Sequence, residues 1–174
     1  MTSIVSALGA ESAVVTKELG PGSVVQAVSL SFRLWVGPFL GMAEDCNKRG
    51  GRVVGAEGEL SCAEVEIVRR LRGAGWNAYW VSEFPCGQRR WGSERAKNTA
   101  LPSGIREIED RIGMGKAGRP DVVAWRGDTI GYIESKGPAD ALKPTQIEWF
   151  RRAREVGIQP DGLVLVSWKA RPWE

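Results

Sequence analysis

Two acidic positions and a lysine carry the chemistry this chain can offer. Pro120-Asp121 and Glu134-Ser135-Lys136 flank a stretch of twelve residues that reads as strand, turn and strand. Asp121-Val122-Val123-Ala124-Trp125 and Ile130-Gly131-Tyr132-Ile133-Glu134 are the strands, and Arg126-Gly127-Asp128-Thr129 has turn chemistry. Pairing Trp125 with Ile130 across a four-residue turn sets Asp121 opposite Glu134, and directly opposed side chains have Cβ atoms roughly 5 Å apart on one face. Alternation along the strand puts Lys136 on that face and turns Ser135 away. Two adjacent carboxylates repel unless a proton or a cation lies between them, and oxygen ligation suits a hard ion, Mg2+ or else Mn2+. Such an ion polarises a phosphoryl oxygen and activates water, and Lys136 would add positive charge beside the reacting phosphate. The pattern therefore points to cleavage of phosphodiesters; the plain alternative for Glu-x-Lys is a solvated pair of little energetic weight.

Two further polar residues fall on apolar helix faces. In the helix expected over residues 61–75, Glu64 shares a face with Val68 and Leu71, while Glu66 is expected to point outward. An acid on a core face needs a partner, which a metal site would supply. Alternatively, Ser61-Cys62-Ala63-Glu64 forms a capping box. Gln146 shares a face with Phe150 and Ala153 in a second helix, from Pro144 or Thr145 to Val156. If Thr145 and Glu148 form the capping box there, Gln146 is left to orient a water or touch a phosphate. Trp149 is expected to pack in the core.

Composition excludes several classes. The 174 residues contain no histidine, which removes Ser-His-Asp and Cys-His catalysis and histidine zinc ligation. Three cysteines without Cys-x-x-Cys spacing indicate neither a zinc cluster nor a complete disulfide framework and fit a reduced, cytoplasmic setting. No organic cofactor is indicated. A net charge of +3 permits nucleic acid as a partner without requiring it. The start lacks the basic character of a secretory signal, and the most apolar window, 24–43, contains Gln26, Arg33 and Pro38, so no membrane role is expected.

The elements that must position these residues follow in order: a helix at 61–75, a strand at 77–84, the hairpin, a helix closed by Gly157, and a buried strand at 163–168. This is an α/β arrangement around a mixed sheet. Residues 85–119 form a long insert between the first two core strands. Arg89, Arg90, Arg95, Lys97, Lys116 and Arg119, with Trp91 among them, could track phosphates and stack on a base. The alternative is a solvated loop with a short surface helix over 105–112. Residues 1–58, with strand-like runs around 24–36, read as an N-terminal extension of unassigned role preceding a catalytic domain over 59–174.

Gly118-Arg119-Pro120-Asp121, Glu134-Ser135-Lys136-Gly137-Pro138 and Lys143-Pro144-Thr145-Gln146-Ile147-Glu148-Trp149 together resemble the VRR-NUC branch of the PD-(D/E)XK nucleases, over roughly residues 61–168. The resemblance implies a restriction-endonuclease-like αβββαβ core. It implies metal ligation by Asp121, Glu134 and the carbonyl of Ser135, assistance to water by Lys136, Gln146 at the site, and carry-over of a helix-borne acid to Glu64. It further implies a metal-dependent DNA endonuclease, structure-specific and of Holliday-junction type, acting on branched or duplex DNA as a homodimer. A restriction-type or defence nuclease on linear duplex DNA is the alternative enzyme, and an inactive nucleic-acid-binding module is the alternative of another class. The long insert and the first 58 residues depart from the family pattern.

Overall fold

The β-branched and aromatic residues on either side of Gly127-Asp128 pair as expected, and the resulting hairpin stands in the middle of the fold. The protein is described by a computed structural model over residues 3–10, 13–36, 52–55, 58, 60–81 and 101–172. In chain order the elements are α1 (Ile4–Leu8), β1 (Val15–Gly20), β2 (Ser23–Arg33), β3 (Arg52–Val54), β4 (Leu60–Cys62), α2 (Ala63–Gly73), β5 (Asn77–Trp80), α3 (Ser103–Ile112), β6 (Val122–Arg126), β7 (Thr129–Lys136), α4 (Pro144–Glu155) and β8 (Leu163–Arg171). Among the described residues no helix is long and apolar enough to cross a membrane.

Six strands form one mixed sheet in the order β1-β2-β8-β7-β6-β5. β5, β6 and β7 are antiparallel neighbours, β7 runs parallel to β8, and β8 parallel to β2. Parallel neighbours need a crossover between them, and α4 supplies the one from β7 to β8. The expected order of helix, three strands, helix and strand is present as α2-β5-β6-β7-α4-β8. The first 58 residues contribute more than was legible: β2 and β1 extend the same sheet beyond β8, and β3 pairs with β4 in a separate two-stranded ribbon. β5 is shorter than the strand expected over 77–84, and residues 82–84 lie outside the described set.

Side-chain alternation divides the core into two layers. One face of the sheet carries Val122, Ala124, Ile133, Val164 and Val166, covered by α1 and α2. The other carries Val123, Tyr132, Leu163 and Leu165, covered by α3 and α4. On that second face Trp149 packs edge-on to Tyr132 with centroids 4.7 Å apart, beside fully buried Phe150. Each such side chain contributes about 1.5–3 kcal/mol through burial, which holds α4 against β7 and β8. The short helix expected at 105–112 is present as α3, and its Ile105 and Ile112 are buried, so it is docked on this layer rather than solvated all round.

Three local expectations are corrected. Glu66 does not point outward: it is buried, accepting a hydrogen bond from the Ser61 hydroxyl at 2.5 Å and pairing with Arg69 at 2.7 Å. The reason is that α2 is covered on more than one side, by the sheet, by α1 and by β4. The Ser61–Glu64 capping box is absent, because Cys62 occupies the cap position and Ser61 is engaged by Glu66. The Thr145–Glu148 box is absent too. Glu148 turns along α4 to Arg151 and Arg152, and Gln146 caps the helix instead, its Oε1 accepting from the Lys143 backbone N–H at 2.9 Å.

Candidate active site

The hairpin register holds as expected, with Trp125 opposite Ile130 and Val122 opposite Ile133, while the ladder closes tighter, to a two-residue turn after Arg126↔Thr129. One step past Val122↔Ile133, Asp121 lies beside the Glu134–Ser135 segment. Its Oδ2 accepts from the Ser135 backbone N–H at 3.0 Å, and its carbonyl accepts from Val81 N–H at 2.8 Å. Asp121 is therefore tied to both neighbouring strands.

Glu134 is the centre of a polar network on the α4 face. Its side chain is 2% exposed, and Oε1 receives Lys136 Nζ at 2.8 Å and Gln146 Nε2 at 2.5 Å. Lys136 lies two residues on along β7, so the strand pleat aims both at the same side. Gln146 spans the gap between elements: its oxygen caps α4 and its nitrogen reaches β7. An almost fully buried carboxylate requires such compensation, since an unpaired charge at this depth costs several kcal/mol.

A glycine brings the Asp121 segment to the helix. Gly118 has φ +70°, and a Cβ built on it would lie 2.0 Å from the Thr145 carbonyl oxygen and 2.9 Å from Gln146 N. Only a residue without a side chain permits that approach of Arg119-Pro120-Asp121 to the start of α4. Next to it, Arg119 donates from Nε and Nη2 to Glu109 Oε1 on α3, at 3.1 and 2.7 Å. Burial pushes the Glu109 carboxyl above its usual value, and the Arg119 guanidinium pulls it back. Burial, and then the Glu109 charge, raise the Tyr132 phenol well above its ordinary value.

The residues singled out from sequence are thus distributed as follows. Asp121, Glu134, Lys136 and Gln146 come together. Ser135 is buried with its side chain directed to the opposite face from Glu134 and Lys136, leaving only its backbone near Asp121. Glu64 is buried as expected of a core-facing position, but α2 packs on the other sheet face. Among the described residues no group of three or more His, Cys, Asp or Glu side chains is placed to hold a metal ion, so Glu64 does not complete a three-carboxylate set with Asp121 and Glu134. Lys116 is exposed and Arg119 is drawn to Glu109. Arg89, Arg90, Trp91, Arg95 and Lys97 lie outside the described residues. Sequence reasoning missed Glu109, whose only signal was a helical acid twelve residues before Asp121.

A mixed six-stranded sheet flanked by helices, with an acid at the start of one strand and Glu-x-Lys at the end of the next, defines the restriction-endonuclease-like class of nuclease folds. Residues 75–161 match the VRR-NUC domain, half of the chain, and the protein belongs to that family of PD-(D/E)XK-like nucleases. It is a nuclease, a hydrolase with DNA as its substrate. No curated protein matches the chain.

Proposed function

We propose that this nuclease is a divalent-metal-dependent endonuclease that hydrolyses phosphodiester bonds in branched DNA. The observation that carries the reading is the convergence of Asp121, Glu134 and Lys136 at the adjoining ends of β6 and β7. The donor set fits a hard cation: Asp121 and Glu134 offer carboxylate oxygens at the adjoining ends of two paired strands. Asp121, Glu134 and the Ser135 carbonyl would hold Mg2+ or Mn2+, which when bound supplies positive charge to the phosphoryl oxygens and lowers the pKa of a ligated water.

The protein's own groups do the rest. Lys136, largely withdrawn from solvent and held by Glu134, presents its ammonium where a scissile phosphate gathers negative charge. Gln146 fixes the Glu134 carboxylate and keeps the start of α4 beside it. Lys116, exposed beyond α3, together with Arg89, Arg90, Trp91, Arg95 and Lys97, is assigned to phosphate and base contacts. A homodimer would present two such sites to the paired strands of a junction.

The test is incubation with Mg2+ or Mn2+ and a panel of four-way, flapped, linear duplex and single-stranded DNAs. Cleavage of branched substrates, abolished by EDTA and lowered at least 100-fold in Asp121→Ala and Lys136→Ala, is the expected result. Cleavage that persists in both variants would remove the proposed site. Cleavage confined to one linear sequence would favour restriction-type activity instead.

A further inference from the structure

We infer that Glu109 and Arg119 act as a positioning pair for Asp121, and that Arg119 is not a contact for DNA phosphates. The inference rests on the reading of Asp121 as an active-site acid. Arg119 precedes Asp121 by two residues, and its Nε and Nη2 both donate to one oxygen of Glu109. The side chains are 16% and 19% exposed, so this is a largely desolvated pair rather than a surface bridge. Two donors of one planar guanidinium converging on a single oxygen fix direction as well as distance, which a lysine could not do.

The far end of the pair is anchored. Glu109 sits on α3 between Ile105 and Ile112, both buried in the layer that also contains Tyr132 and Trp149. The near end belongs to a segment with little freedom: Gly118 is wedged against Thr145, Pro120 is buried, and Asp121 accepts from Ser135 N–H. Arg119 adds a tie to α3 to those this segment makes with the sheet and α4. The helix inside the long insert therefore acts as a brace for the catalytic strand.

Because Asp121 Oδ2 accepts from the Ser135 amide, exchange of that one amide hydrogen reports the position of Asp121 without any substrate. The experiment measures Ser135 amide exchange by NMR, together with kcat, KM and DNA affinity at two salt concentrations. The variants are Arg119→Ala, Glu109→Ala, Arg119→Lys, the charge-reversed double variant Glu109→Arg with Arg119→Glu, and Asp121→Ala as control. Expected are a rise of about tenfold or more in Ser135 exchange and a similar loss of kcat in both single alanine variants. KM and DNA affinity should stay within twofold, and the charge-reversed pair should recover part of both losses. Arg119→Lys should fall between wild type and Arg119→Ala. Wild-type Ser135 exchange in Arg119→Ala would overturn the inference. So would weaker DNA binding in that variant with a salt slope reduced by about one, the signature of a lost phosphate contact. If the wild-type protein cleaves no DNA, the nuclease assignment of the site fails, while Ser135 exchange still decides whether the pair positions Asp121.

Discussion

Replacing Gly118 by alanine tests whether the approach of the Asp121 segment to α4 is what assembles the site. The added methyl would lie 2.0 Å from the Thr145 oxygen, 2.4 Å from its carbonyl carbon and 2.9 Å from Gln146 N. All three are backbone atoms, so no rotamer change relieves the contact. Reaching an ordinary 3.4 Å requires a displacement of roughly 1.4 Å between the 118–121 segment and the first turn of α4. The left-handed φ adds about 1 kcal/mol for a residue with a Cβ, and forcing backbone apart in a packed region adds about 1–3 kcal/mol. The expected loss of stability is therefore about 2–4 kcal/mol by chemical denaturation. Activity should fall further, because a shift near 1 Å in a reacting constellation costs on the order of 100-fold. Gly115→Ala is the internal control: Gly115 has φ +55° and no atom within 4 Å of a built Cβ, so only the conformational cost of about 1 kcal/mol applies. Equal stability of the two variants, with kcat near wild type in Gly118→Ala, would refute the argument.

Further outcomes are expected elsewhere. Tyr132→Phe should be neutral or stabilising by up to about 1–2 kcal/mol at pH 7, since the buried hydroxyl has no hydrogen-bond partner among the described residues. The phenol is raised in the folded state, so its contribution is intact below its ordinary value of 10.0 and is lost as pH rises above it; unfolding curves from pH 9 to 11 should show that decline in wild type and not in Tyr132→Phe. Gln146→Ala should cost about 1 kcal/mol as a lost cap and lower kcat about 10–100-fold by releasing Glu134, measured by denaturation and cleavage rate. Glu148 is drawn down to about 2 by hydrogen bonds from Arg151 and Arg152, so its stabilising effect is present above about pH 4.5 and lost as pH falls toward 2. The side chain is 35% exposed, and the difference between wild type and Glu148→Gln should shrink in 1 M salt.

The parts of this fold that could be read from sequence are those decided locally. The register that pairs Trp125 with Ile130 follows from turn residues between two β-branched runs, and it carried Asp121 to Glu134 with no long-range information. Gln146 was legible because α4 is amphipathic and its buried face is simple. Errors arose where several elements meet. Glu66 is buried because α1 and β4 flank α2, and neither is visible in the period of the helix itself. Glu64 was rightly placed facing inward, yet periodicity does not say which sheet face a helix covers. The strands of the first 58 residues gave ordinary local signals, and their place beside β8 depends on a partner at the other end of the chain.

That last pairing has a kinetic meaning. Gln26 is opposite Val164 and Arg33 opposite Arg171, contacts separated by 138 residues of chain. β8 is hydrogen-bonded to β2 on one edge and to β7 on the other, where Leu165 stands opposite Glu134. During synthesis the hairpin can close as soon as residue 136 has emerged, but β2 must wait for its parallel partner until residues 163–171 have been made. Non-local strand pairing of this kind slows folding, since the loop entropy is lost before the contacts are gained. The central strand that backs Glu134 is the last of the described elements in chain order, so a nascent chain that has not reached it lacks a settled catalytic centre. Assembly of the site in this way waits until residues 163–171 have joined the sheet.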